Sequence, residues 1–142
     1  MKVLIETNIV IDVLLKQEPF YKDSFIILQL ADSGNIKGIF AAVSMTNVFY
    51  ILRKVRQDNG TDVYQIMDKI SSLFTIAPVY ESTISTALSL RWKDFEDAVQ
   101  YITAKENNVD CIITRNKSDY KNSDIPCKNP TDFIEYFIEK NK

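Results

Sequence analysis

KDFEDAVQYITAKENNVDCIITRNKSDY, residues 93–120, combines an amphipathic helix with a short buried strand. The helix is indicated by apolar residues at helical spacing, which are Phe95, Ala98, Val99 and Ile102. Asp94 and Asp97 are three residues apart, so they share a face of this helix at the edge of its buried side. The segment CII, residues 111–113, is too short for a helix and rich in β-branched residues, and it therefore predicts a buried central strand.

Polar residues follow this strand directly. Thr114, Arg115 and Asn116 come at its carboxyl end, and Asp119 follows three residues after Asn116. In open α/β sheets, functional sites lie at the carboxyl ends of the strands. We therefore expect the functional site of this chain at that edge of the sheet.

The rest of the chain alternates strands with helices. Further strands are predicted at residues 2–5, 38–43, 74–79 and 125–127, the last at a sheet edge because it contains a proline. Strands that alternate with helices specify a parallel sheet with helices on both faces. The sequence thus predicts one domain, residues 1–142, of the three-layer α/β/α, Rossmann-like class.

The helix boundaries are predicted from capping and stop residues. Thr7 or Asn8 is expected to cap the first helix, and Ser44 the third. Asn59-Gly60 is the predicted stop of the third helix, and Thr61 or Asp62 the start of the fourth. The other helices are predicted at residues 20–33, 81–90 and 130–138.

Composition and charge narrow the classes of protein to consider. With 46% hydrophobic and 25% charged residues, the chain has the composition of an ordinary soluble domain. Glu6, Asn8 and Asp12 interrupt the apolar run at the start, and no segment has the length of a membrane span. We therefore expect a cytoplasmic protein without a membrane partner. The formal charge of −2 argues against a broad basic surface for nucleic acid.

The residue types that are absent exclude several kinds of chemistry. The chain has no histidine, which removes Ser-His and Cys-His nucleophile pairs and histidine-ligated zinc. Its two cysteines form no zinc set, and its three glycines form no phosphate-binding loop. Carboxylates, amides, hydroxyls, lysine and arginine remain as the chemical groups of a site.

Acids are predicted to gather at the carboxyl edge of the sheet. Glu6 follows the first strand, Asp94 and Asp97 open the helix before the strand at 111–113, and Asp119 follows that strand. Neighbouring carboxylates repel one another and raise one another's pKa unless a cation neutralises them. Oxygen ligands alone favour Mg²⁺ or Mn²⁺ over zinc. Because such ions activate water and stabilise charge on a phosphoryl group, the acids indicate phosphodiester hydrolysis.

Four segments in this order resemble the PIN domain family of metal-dependent ribonucleases, especially the VapC-like toxins of toxin–antitoxin pairs. The segments are VLIETNIVID, SMTNVFYILRK, DFEDAVQ and IITRNKSDY, and they span nearly the whole chain. The resemblance implies a PIN-like α/β/α fold, an acidic pocket for Mg²⁺ or Mn²⁺, an RNA substrate, and a homodimer inhibited by a small antitoxin protein.

The chain departs from the family pattern at three positions. Glu6 stands where the family usually has Asp, and the additional methylene moves the carboxylate by about 1.5 Å. Asn47 and Asn116 match two further family acids and bring no charge, while Asp119 supplies an acid near Asn116.

The resemblance implies the following site residues. The catalytic acids are Glu6, Asp94, Asp97 and Asp119, and the same acids with Asn116 are the expected metal ligands. The expected supporting or substrate-contacting residues are Thr7, Asn8, Asn47, Thr114 and Arg115.

Simpler explanations exist for several of these residues. Asp94 and Asp97 also fit a helix cap, and Arg115 fits a solvated surface residue as well as a phosphate contact. Asp12 is expected on the surface of the first helix. The basic residues Arg53, Lys54, Arg56, Lys16 and Lys117 are by default solvated, and only weak candidates for contacting an RNA backbone.

Two functions of different class follow. The first is a metal-dependent endoribonuclease. The second is a PIN-like module that binds RNA or a protein partner without cleavage, because the changes at Glu6, Asn47 and Asn116 have weakened its chemistry.

Overall fold

The computed structural model describes residues 1–56 and 62–142. Within them the chain forms a five-stranded parallel sheet in the order β3-β2-β1-β4-β5. The strands are β1 (Lys2–Ile5), β2 (Lys37–Ala41), β3 (Thr75–Ala77), β4 (Cys111–Ile113) and β5 (Cys127–Lys128). All five lie at or within two residues of their predicted positions. The predicted stop at Asn59-Gly60 and the predicted cap Thr61 lie outside the described residues.

Helices connect the strands on both faces of the sheet. They are α1 (Thr7–Leu14), α2 (Tyr21–Asp32), α3 (Ala42–Arg56), α4 (Val63–Leu73), α5 (Glu81–Leu90), α6 (Phe95–Glu106) and α7 (Pro130–Lys140), with a short 3₁₀ helix at Lys117–Tyr120. The α/β fold class predicted from the alternation of strands and helices is confirmed.

The side chains of β1 alternate between two apolar cores. Val3 and Ile5 are buried in a core formed with α1 to α4 and α7, whereas Leu4 is buried in a core formed with α5 and α6. All three side chains are fully buried. A central parallel strand is therefore apolar on both faces, which explains its nearly continuous hydrophobic sequence.

The strand order places a crevice at the carboxyl end of β1. The chain passes from β1 to β2 and β3 on one side, and then returns to form β4 and β5 on the other side. Ile5 pairs with Ile113, so β1 and β4 end at the same level. Such a change of direction between neighbouring strands opens the crevice in which α/β proteins bind ligands.

Two of three local predictions differ from the structure. The N-cap of α1 is Glu6, and neither Thr7 nor Asn8 takes that position, because the helix begins immediately after the strand. Ser44 does not cap α3, because the helix begins at Ala42. Ser44 lies within the first turn, and its side chain is fully buried. The fourth helix does begin as predicted, since the Asp62 carboxylate accepts the backbone N–H of Gln65 at 3.3 Å.

Among residues 1–56 and 62–142, no helix has the length and apolar character needed to cross a membrane.

Gly38 in β2 provides a test of the packing beneath the sheet. A Cβ atom at this position would lie 2.6 Å from Cδ1 of Phe74, which stacks on Phe40 with 5.2 Å between ring centroids. Phe74 is 6% exposed and has little room to move. We expect Gly38→Ala to lower the free energy of unfolding by about 1–3 kcal/mol in urea denaturation. The double variant with Phe74→Leu should recover part of this loss. Wild-type stability in Gly38→Ala would contradict the packing described.

Candidate active site

A cavity of about 430 Å³ opens at the carboxyl end of β1, and we refer to it as the acidic cavity. Five acids line it, namely Glu6, Asp94, Glu96, Asp97 and Asp119. Thr7, Asn8 and Asn47 also line it. The structure thus brings together all four predicted catalytic acids and adds Glu96, which the sequence analysis missed.

Glu6 is fixed by the end of β1. Its backbone N–H donates to the carbonyl of Ile113 at 3.1 Å, and its own carbonyl accepts the N–H of Ile9 at 3.0 Å. The Glu6 side chain is only 6% exposed. The Thr114 hydroxyl donates to Oε2 of Glu6 at 3.5 Å, a long contact, so the predicted supporting residue Thr114 does lie beside this carboxylate.

The first turn of α6 supplies three of the acids. Asp94 is the N-cap, and its Oδ1 accepts the backbone N–H of Asp97 at 3.0 Å. The capping role proposed as a simpler explanation for Asp94 is therefore confirmed, and it fixes the direction in which both carboxylates face the cavity. Nδ2 of Asn47 on α3 donates to Oε1 of Glu96 at 3.2 Å, which joins α3 to the start of α6.

Aromatic packing holds the acids of α6 against the 3₁₀ helix. The Tyr120 hydroxyl donates to Oδ1 of Asp97 at 3.5 Å, and Tyr120 is buried beside Asp119. Trp92 meets Tyr120 edge-on at 6.0 Å and stacks on Tyr101 at 4.9 Å. The position of Asp119 relative to Asp97 is therefore fixed by a packed aromatic cluster.

Burial and mutual repulsion make two of the acids unusually basic. The pKa of Glu6 is raised to about 7, mainly by burial and then by the charge of Asp97, while the backbone N–H of Asn8 acts in the opposite direction. The pKa of Asp97 is likewise raised to about 7, mainly by burial and then by the charges of Asp94, Asp119 and Glu96. Two carboxylates that are partly protonated at neutral pH thus face one cavity.

A buried hydrogen-bonded group lies beneath the cavity floor. Nε2 of Gln100 donates to the hydroxyls of Ser44 at 2.6 Å and Thr7 at 3.3 Å, and the two hydroxyls are 2.7 Å apart. The three side chains join α6, α3 and α1. The sequence analysis missed Gln100 and the role of Ser44, although a glutamine on the apolar face of a helix was a signal for it.

Arg115 is an ion-pair residue. Its Nε lies 3.3 Å from Oδ2 of Asp12, and its guanidinium lies over the ring of Phe20 at 4.4 Å. The prediction that Asp12 lies on a helix surface is wrong, because the side chain is completely buried and bears the charge that Arg115 neutralises. Arg115 does not line the acidic cavity.

Four other predicted residues lie outside the acidic cavity. Asn116 is exposed and contributes its backbone N–H to the Thr114 hydroxyl at 3.1 Å, so its role as a metal ligand stays a prediction. Lys117 pairs with Asp132 at 2.8 Å. Arg53 and Lys54 are exposed on α3 and do not line the cavity.

The donor chemistry of the cavity suits a hard divalent cation. Every side chain that could coordinate is a carboxylate, amide or hydroxyl. Burial, followed by the charges of neighbouring acids, raises the pKa of both Glu6 and Asp97. However, in the described part of the chain no three acidic or cysteine side chains approach closely enough to form a ligand set. The site therefore fits such an ion in chemistry, while its carboxylates stand wider apart than direct ligands.

Comparisons with known proteins agree with the fold. The PIN domain family model matches residues 2–118. A relative described as ribonuclease VapC1, from Aquifex aeolicus strain VF5, is 23% identical over 140 residues, which is 94% of each chain.

Solved structures of similar fold include proteins from three organisms. A toxin–antitoxin complex from Klebsiella pneumoniae has a TM-score of 0.66 and 23% identity, covering 90% of this chain and 97% of that one. VapBC2 from Rickettsia felis, bound to a promoter DNA fragment, has a TM-score of 0.67 and 17% identity, covering 91% and 98%. VapC20 of Mycobacterium tuberculosis, described as a sarcin-ricin loop cleaving toxin, has a TM-score of 0.59 and 11% identity, covering 78% and 86%.

The raised pKa of Glu6 predicts how stability depends on pH in metal-free protein. A carboxyl whose pKa rises from 4.5 to about 7 on folding binds more protons in the folded state, so stability falls as pH increases from about 4.5 to about 7. Glu6→Gln should remove the contribution of Glu6 to this dependence, leave that of Asp97, and stabilise the protein at pH 8 by on the order of 1–3 kcal/mol. Thermal unfolding with a chelator, over a pH series, measures it.

Glu135→Gln is the matched control, because Glu135 is an exposed acid in the middle of α7. It should leave the pH dependence unchanged. If Glu6→Gln behaved in the same way as this control, the electrostatic description of the cavity would be wrong.

Proposed function

The chain belongs to the PIN domain family, and on that basis we propose that it is a metal-dependent endoribonuclease that hydrolyses RNA phosphodiester bonds as the toxin of a toxin–antitoxin pair. The observation that carries this proposal is the pair of repelling carboxylates, Glu6 and Asp97, in one cavity at the carboxyl edge of the sheet. The relative described as a ribonuclease, which this chain matches over 94% of its length, supports the same activity.

The proposed ligands of Mg²⁺ or Mn²⁺ are Glu6, Asp94, Asp97 and Asp119. When bound, such an ion lowers the pKa of a water molecule and stabilises charge on the phosphoryl group. Mg²⁺ keeps several of its own waters, so carboxylates that stand wider than direct ligands can hold it through them. This suits the separation of the acids in the described structure.

The residues of the chain have distinct proposed roles in this reaction. Glu6 and Asp97 hold negative charge in a poorly hydrated position, where it attracts a cation strongly. Asp94 orients the first turn of α6 through its cap, and Asn47 holds Glu96 at the mouth of the cavity. Thr7, whose hydroxyl is hydrogen-bonded to Ser44 and Gln100, is the proposed contact to an oxygen of the substrate.

The proposal includes the partners and the location that the sequence resemblance implies. The solved structures of similar fold include proteins described as toxin–antitoxin complexes, which supports an antitoxin protein as the partner. A homodimer and a cytoplasmic location complete the proposal.

Cleavage by matched variants tests the proposed activity. Purified protein should cut a mixed RNA pool with Mn²⁺ or Mg²⁺. Asp97→Asn should lower the rate at least about 100-fold, because it removes the negative charge of a proposed metal ligand in a poorly hydrated site. Glu6→Gln should do the same, and Glu135→Gln should cut at the wild-type rate. Gel analysis of initial rates provides the measurement.

Glu6→Asp addresses the departure from the family pattern. It retains the charge, so it should still cut, and a rate above that of the wild type would show that the longer side chain limits the natural protein. An unchanged rate in Asp97→Asn would contradict the proposed site. Absence of cleavage in all variants, with both metals, would favour the module that binds without cutting.

A further inference from the structure

A second cavity, of about 890 Å³, adjoins the acidic one. The two cavities share Asp94, Asp97 and Asp119, so these three acids form the wall between them. On the far side of the wall the lining carries three cations, Arg91, Lys93 and Lys121. We refer to this space as the basic cavity.

The three cations form no ion pair with any carboxylate in the described part of the chain. Within residues 1–56 and 62–142 the ion pairs join Lys105 to Asp124, Arg115 to Asp12 and Lys117 to Asp132, and none involves a cation of the basic cavity. All three cations are exposed. In a chain with a net charge of −2, three positive charges that pair with no carboxylate of the described residues thus lie together beside the acidic site.

The backbone at Arg91 adds a second observation. Arg91 follows α5 with a φ of 54°, in the left-handed region that favours glycine at the end of a helix. An arginine there costs backbone energy that a glycine would avoid. The next residue, Trp92, stacks on Tyr101 and fixes the loop that carries Arg91 and Lys93. A charged side chain therefore occupies a position at which glycine would have the lower backbone energy.

We propose that the basic cavity binds the phosphodiester backbone of the RNA strand whose scissile bond lies over Asp94, Asp97 and Asp119. This inference rests on the proposed function. It adds a route by which the RNA strand crosses the basic cavity to the acids, and we refer to this route as the substrate path. Unpaired cations hold phosphates of any sequence, and a phosphate held beside the acidic wall brings its neighbour to the acids. Arg53 and Lys54 on α3 line neither cavity, so they do not take this role.

RNA binding without cleavage tests the path. Asp97→Asn protein in a chelating buffer is titrated into a fluorescein-labelled single-stranded RNA, and anisotropy is followed over a salt series. Three phosphate contacts predict a slope of log K against log salt of about −2, since each contact on a single strand contributes about 0.7. Lys121→Gln and Lys93→Gln, each added to Asp97→Asn, should each reduce the slope by about 0.7 and weaken binding roughly 3-fold to 10-fold at low salt.

Arg91→Gly separates a role in binding from a role in folding. It should raise or preserve the midpoint of thermal unfolding, because glycine relieves the left-handed backbone, and it should weaken RNA binding as much as Lys121→Gln does. Lys69→Gln, on the exposed side of α4, is the matched control and should change neither quantity. In the cleaving protein, the same cation variants should raise KM more than they lower kcat, since they contact the strand away from the reacting bond.

The outcomes distinguish the two proposals. Failure of Asp97→Asn to bind RNA, or a slope that changes with Lys54→Gln and not with the cations of the basic cavity, would overturn the substrate path. Wild-type protein that binds RNA with the predicted slope but cuts with neither metal would support the path and refute the nuclease activity.

Discussion

The parallel pairing of β1 with β4 is the constraint on which the site depends. Because Ile5 pairs with Ile113, the residues that follow the two strands, Glu6 and Thr114, emerge side by side. Helix α6 packs against the face of the sheet to which Leu4 belongs and brings Asp97 toward Glu6. Residues from distant parts of the chain thus meet because a few backbone hydrogen bonds fix the level at which the strands end.

The placement of these acids in one cavity has an electrostatic cost in the absence of a cation. Burial and repulsion raise the pKa of Glu6 and Asp97 to about 7, far from the ordinary range of carboxyl groups. Neighbouring packing holds them in place. The aromatic cluster around Trp92 fixes the 3₁₀ helix that follows β4, and the hydrogen bonds of Gln100 fix the floor of the acidic cavity. An arrangement of like charges that lowers stability is typical of a functional site.

The fold and the four main acids could be predicted because they depend on local patterns. The helical spacing of α6, the apolar segment of β4 and three of the acids lie within one short stretch of sequence, and Glu6 directly follows the apolar segment of β1. The burial of Asp12 could not be predicted, since it depends on Arg115, which is distant in sequence and close only in the folded chain. Likewise, the contact of Asn47 with Glu96 depends on how α3 and α6 meet, and no spacing within either helix reveals it.

The central claim is that Glu6 and Asp97 form one repelling, cation-seeking pair. The most direct test is a carbon-detected NMR titration of their side-chain carboxyl groups, in metal-free protein and again with Mg²⁺. We expect both pKa values near 7 without metal, and a fall toward or below the ordinary carboxyl range when Mg²⁺ is present. Titration of both groups near their ordinary values of 4.5 and 3.8, unaffected by Mg²⁺, would contradict the account.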